Sequence, residues 1–116
     1  MTASTPLPST HRRAVVVTAG ALACFGASAW AKVRSTRHTV LMEATAYLPL
    51  ELRVSRGDSV LWVNRDPFPH TVTCTGVFDS GHVGVDGRWM YRANVAGRFE
   101  YLCVYHPNMK ATLVVT

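Results

Sequence analysis

The chain has 116 residues, 48% of them apolar and 16% charged. That length holds one small domain and excludes a solenoid or a multidomain enzyme, while the apolar share excludes a disordered chain. Twelve Lys and Arg against seven Asp and Glu give a formal charge of +5, but no basic run occurs beyond Arg12-Arg13, so the excess does not point to nucleic acid.

The chain opens with an export segment. Residues 1–13 are polar, lack acids and end in His11-Arg12-Arg13; residues 14–26 are apolar, and Ala27-Ser28-Ala29-Trp30-Ala31 sets small residues in A-x-A spacing. A basic, an apolar and a small-residue region in that order make a secretory signal, with cleavage after Ala29 or after Ala31. An uncleaved anchor is the competing reading, because residues 14–31 carry no charge and come near the lower limit for crossing about 30 Å of hydrocarbon. Gly20, Gly26 and Ser28 make it a weak span. Arg12-Arg13 keeps a twin-arginine route open beside the general secretory one, and Leu22 sits one place too close to Cys24 for a good lipoprotein acceptor. The expectation is a signal over residues 1–31 and an exported, periplasmic domain over residues 32–116, monomeric and without stable membrane insertion. Losing Arg12 and Arg13 leaves that domain ten basic residues against seven acids, a charge of +3.

Residues 32–116 show no apolar repeat of helical period. Alternation predicts strands at residues 39–44, 52–55, 59–64, 70–75, 88–94, 98–104 and 111–116. Turn residues fill the breaks: Arg56-Gly57-Asp58, Pro67-Phe68-Pro69, Asp79-Ser80-Gly81, Asp86-Gly87 and Ala96-Gly97. Seven closely spaced strands predict an all-β antiparallel sandwich. So small a domain buries a modest core and gains from a disulfide or a metal. Strand parity puts Phe99, Tyr101 and Cys103 on one face, and His70, Val72 and Cys74 on another. Cys103 and His70 therefore both point toward the core from strand ends.

Cys103-Val104-Tyr105-His106-Pro107-Asn108-Met109 places a thiol, an imidazole and a thioether within one short loop, and His70 follows the stiff run Asp66-Pro67-Phe68-Pro69. Two imidazoles, one thiolate and a weak thioether are the donor set that suits copper in electron-transfer sites. On these residues the chain resembles the cupredoxins, the small type 1 blue copper proteins, and among them the plastocyanin- and amicyanin-like members. The resemblance also takes in residues 57–64, Pro69-His70-Thr71-Val72-Thr73, Phe78-Asp79-Ser80-Gly81 and Gly97-Arg98-Phe99-Glu100-Tyr101-Leu102-Cys103. It implies a Greek-key β-sandwich with one copper ion at one end, held by His70, Cys103, His106 and Met109. Three positions depart from the family pattern: Thr71 where Asn is common, Ala111 where Gly is common, and His82 where an apolar residue is usual.

Other readings of these residues are weaker. If residues 70–74 are extended, Cys74 lies about 13 Å along the strand from His70, so Cys103 cannot meet both Cys74 and a metal held by His70. The same distance opposes a zinc site that uses Cys74, which reads as a small buried hydrophobe. His38 and His82 read as surface or turn histidines, Trp62, Phe99 and Tyr101 as core, and Met42 and Met90 as packing residues. Cys103 is flanked by Leu102 and Val104 rather than by the histidines that reach a copper cluster in multicopper oxidases, and no catalytic set stands out. The expected function is electron transfer with redox partner proteins docking near His106. The alternative is a copper-binding or copper-delivery protein without fast electron exchange.

Overall fold

Alternating apolar side chains and short turns organise the domain, which is described by a computed structural model over residues 34–116; the signal expected at residues 1–31 lies outside the described residues. Among the described residues there are nine strands and no helix: β1 (Arg37–Glu43), β2 (Ala46–Leu48), β3 (Glu51–Val54), β4 (Ser59–Asn64), β5 (Thr73–Cys74), β6 (Phe78–Asp79), β7 (Arg88–Arg92), β8 (Gly97–Cys103) and β9 (His106–Val115). One sheet runs β2-β1-β4-β7 and the other β3-β9-β8-β5-β6. The pairs β1–β2, β5–β6 and β8–β9 each stay within one sheet, and the chain crosses between the sheets at every other connection.

The purely antiparallel expectation is corrected at two places. β1 pairs parallel with β4, from Arg37 opposite Ser59 to Met42 opposite Asn64, and β3 pairs parallel with β9. The chain leaves the first sheet at β3 and re-enters it at β4 beside β1, so the returning strand runs in the same direction. The predicted strand at residues 70–75 shrinks to β5. His70 instead exchanges backbone hydrogen bonds with Val83 (2.8 and 3.1 Å), and Val72 is bonded by Ser80: the Val72 amide donates to Ser80 Oγ (2.7 Å) and the Ser80 amide to the Val72 carbonyl (2.9 Å). The strand expected at residues 111–116 reaches back to His106. β2 and β6 escape sequence reading because three and two residues are too short to show a period.

Trp62, fully buried on β4, is the centre of the core, and its indole N–H donates to the Tyr101 hydroxyl at 3.3 Å. The Tyr47 ring meets Tyr101 edge-on with centroids 4.7 Å apart, and its own hydroxyl donates to the Thr71 carbonyl at 2.6 Å. Burial pushes the Tyr101 phenol up to about 12 and the Tyr47 phenol higher still. Both phenols stay neutral, Tyr47 donating to Thr71 and Tyr101 accepting from Trp62. Phe99 packs half-buried against this core and Met42 lies fully within it. Met90 does not: it is 44% exposed on β7, whose residues alternate between half-buried and exposed.

At one turn, Asp58 ties the start of β1 to the β3–β4 connection. Its carboxylate accepts the amides of Thr36 (2.9 Å) and Ser55 (3.0 Å) and bonds His38 Nε2 (2.9 Å). The His38 bond first, then the two amides, hold the carboxyl down at about 2. An unfolded Asp titrates near about 3.9, so this contribution to stability is present above that value and is lost as pH falls toward about 2. In urea unfolding of the metal-free protein from neutral to acid pH, Asp58→Asn should lower stability at neutral pH and make the acid loss shallower. An acid limb as steep as that of the parent would show that the carboxylate is not held by these partners.

Candidate metal centre

His70 enters the interior behind Pro67-Phe68-Pro69, and its side chain is wholly buried. A buried imidazole needs partners for both nitrogens. Nε2 lies 2.7 Å from Asp66 Oδ2. With that nitrogen donating, Nδ1 presents its lone pair to Cys103. Asp66 also accepts the amides of Ala44 (2.7 Å) and Thr45 (2.9 Å). Burial works to raise the Asp66 carboxyl, but the bonds from His70, Thr45 and Ala44 outweigh it and hold the group below the usual carboxylate range.

The loop carrying Asp66 is shaped by Asn64, fully buried at the end of β4. Its Nδ2 donates to the carbonyls of Phe68 (2.9 Å), Val83 (3.1 Å) and Gly84 (3.1 Å), and its Oδ1 accepts the Asp66 amide at 2.9 Å. Neither Asn64 nor the Asp66 carboxylate was legible in the sequence as part of the centre. The available signal for Asn64 was a polar residue closing an otherwise apolar strand. Asp66 gave none, because spacing in an irregular loop does not say which side chains meet.

Cys103 ends β8 on the inward parity of Tyr101 and is fully buried. The pairing of β8 with β9 shifts between Leu102 and Cys103, so that Cys103 stands opposite His106 across the turn Val104-Tyr105. Cys103 Sγ lies 3.6 Å from His70 Nδ1 and 3.7 Å from His106 Nδ1. All three donor atoms fall within 4.8 Å of one another. A first-row ion bound in a trigonal plane, about 2.3 Å from sulfur and about 2.0 Å from nitrogen, would separate those atoms by about 3.7 Å. The two sulfur-to-nitrogen separations fit an ion held between the three groups. Met109, 3% exposed, shares the inward face of β9 with Ala111, Leu113 and Val115. With His106, Thr45, Tyr105, Pro107 and Asn108 it lines one surface depression.

Thr71 links the loops that carry His70 and Cys103. Its amide donates to Cys103 Sγ at 3.3 Å and its Oγ1 accepts the Val104 amide at 2.9 Å, so the hydroxyl makes the tie at the position where the family commonly has Asn. The remaining residues fall outside the cluster. Cys74 is a free, half-buried thiol raised by burial, separate from Cys103. His38 is engaged by Asp58 and His82 by Tyr105, at 3.0 Å. At the surface the Phe68 ring, 38% exposed, packs against both histidines, 5.3 Å from His70 and 5.5 Å from His106.

No family model matches the chain. Among curated proteins it is similar to an amicyanin of Paracoccus versutus, 33% identical over 84 residues, a match covering 64% of this chain and 61% of that protein. Among solved structures it is similar to an amicyanin variant in its Cu(I) form, with a TM-score of 0.65 and 28% identity over 74% of this chain and 88% of that one. The fold alone is shared with a purple cupredoxin of Nitrosopumilus maritimus, with a TM-score of 0.63 and 23% identity over 68% of this chain and 99% of that one. Sequence and sheet arrangement agree: the chain is similar to the cupredoxins, and among them to the amicyanins.

Proposed function

We propose that the chain is an exported electron carrier that holds one copper ion through His70, Cys103, His106 and Met109. The observation that carries this reading is the distance from the buried Cys103 thiol to each imidazole nitrogen, 3.6 Å to the buried His70 and 3.7 Å to the half-buried His106. The likeness to an amicyanin structure in its Cu(I) form supports copper as the ion. When bound, copper supplies a one-electron couple between Cu(I) and Cu(II). The chain supplies constraint: Asp66 and Val83 fix His70, Thr71 fixes the Cys103 sulfur and the turn after it, and the core beneath excludes water. Donors held in this way move little when the charge changes, which keeps the barrier to electron exchange low. A delivery protein would need donors that open to hand over an ion, and the burial of His70 and Cys103 opposes that. Leu102 and Val104 beside Cys103 support a carrier rather than an oxidase.

His106, half-buried at the start of β9, is the route by which an electron would leave. Phe68, Val104, Tyr105 and Pro107 are exposed at this end of the domain, and a partner redox protein would dock there against a monomeric carrier. Residues 1–31 would serve as the export signal.

Two outcomes test the donor set. Copper-loaded, oxidised protein should be intensely blue through thiolate-to-copper charge transfer; Cys103→Ser should abolish the colour and Cys74→Ser should leave it. A colourless copper complex, or loss of colour from the Cys74 change alone, would contradict the assignment. Met109→Leu should keep the blue band and raise the reduction potential, because a weak thioether donor would tune a copper site without creating it. Failure of that variant to bind copper would make Met109 essential to the site rather than a tuning donor.

A further inference from the structure

The segment between β6 and β7 touches both sides of the centre. Val83 exchanges both backbone hydrogen bonds with His70, and its carbonyl also accepts Asn64 Nδ2. Just before it, Gly81 takes a left-handed conformation (φ 66°) and His82 is exposed. His82 Nδ1 lies 3.0 Å from the Tyr105 hydroxyl, and the two rings meet edge-on with centroids 5.9 Å apart. Tyr105 is the residue before His106, in the turn that joins the two donors Cys103 and His106.

We infer that His82 is a positioning residue for His106, acting through Tyr105. The inference rests on the copper reading above. With Nδ1 unprotonated, His82 accepts the Tyr105 phenol and anchors the solvent side of the turn. Thr71 Oγ1 anchors its other side by accepting the Val104 amide at 2.9 Å. With Val104 fixed, the backbone dihedrals of Tyr105 are the freedom by which His106 would swing away from Cys103. Bonding the tip of Tyr105 to the segment that also pins His70 removes part of that freedom and couples the two histidines. An apolar residue at position 82, as the family resemblance leads one to expect, offers no acceptor. The clasp therefore belongs to this chain's own pair, His82 and Tyr105. Because both side chains are exposed, water competes for the bond and its effect is modest, about threefold to tenfold in a rate or equilibrium.

The test compares the parent with His82→Ala, Tyr105→Phe, the double variant and His82→Gln, which restores a side-chain acceptor. In metal-free protein, backbone nitrogen relaxation should show larger motion from Val104 to Asn108 in His82→Ala and in Tyr105→Phe. In copper-loaded protein, release of Cu(I) to a chromogenic chelator should speed up about threefold to tenfold in each. The double variant should be no worse than either single change, and His82→Gln should recover part of the loss. Unchanged relaxation or release in His82→Ala, or additive losses in the double variant, would overturn the assignment. A parent that bound no copper would overturn the proposed function instead, and the relaxation comparison in metal-free protein would still decide the role of His82.

Discussion

A wholly buried imidazole whose two nitrogens are both committed sets the rest of this structure. Leaving a buried polar group unpartnered costs about 1–3 kcal/mol, so the Asp66 bond to His70 Nε2 does more than fill a contact. It fixes the tautomer and aims Nδ1 at Cys103. Asp66 is itself a buried carboxylate and needs donors, which the β1–β2 turn provides through Ala44 and Thr45. Both turn residues take left-handed conformations, with φ of 54° and 57°, costing about 1–2 kcal/mol each for residues with a Cβ. Charge-assisted bonds to Asp66 offset that cost. A hairpin far from Cys103 in sequence thus helps to orient the ring that faces it.

The other anchor is the aromatic core. Trp62 bonds Tyr101, two residues before Cys103 on the same face of β8, while Tyr47 packs on Tyr101 and bonds the Thr71 carbonyl. Thr71 then reaches the Cys103 sulfur and the Val104 amide. The core holds the thiol-bearing strand end and the His70 loop together, and this packing sets the spacing of Cys103 and His70. Such a site suits electron transfer, where the two charge states must share nearly one geometry. His106 differs from the buried pair in being half-buried, held by its turn and by the Phe68 ring, while His70 and Cys103 are shielded from solvent.

Much of this was legible in the sequence because the relevant signals are local. The apolar run Val60-Leu61-Trp62-Val63, bounded by Ser59 and Asn64, gives β4 to the residue, and Cys103-x2-His106-x2-Met109 lies within a single turn and strand. The parity of Phe99, Tyr101 and Cys103 places the thiol correctly in the core. What escaped depends on contacts between distant segments. The parallel pairings of β1 with β4 and β3 with β9 follow from which sheet the chain re-enters, which no local period encodes. The strand expected from His70 is lost because Val83 and Ser80, from another loop, take its backbone bonds. Asp66 reads as a loop acid, and only the folded chain shows it beneath His70. Met90 reads as a packing residue by type, yet it sits on the exposed face of β7.

The central claim is that the fold, rather than the ion, sets the positions of the donors. High-resolution crystal structures of the metal-free and copper-loaded protein test it most directly. The account predicts that the metal-free form keeps the Asp66–His70 bond near 2.7 Å and the Cys103 Sγ to histidine Nδ1 separations near 3.6 and 3.7 Å, with the same His70 rotamer in both structures. A metal-free structure in which His70 has turned from Asp66, or Cys103 has moved out of the cluster, would contradict it.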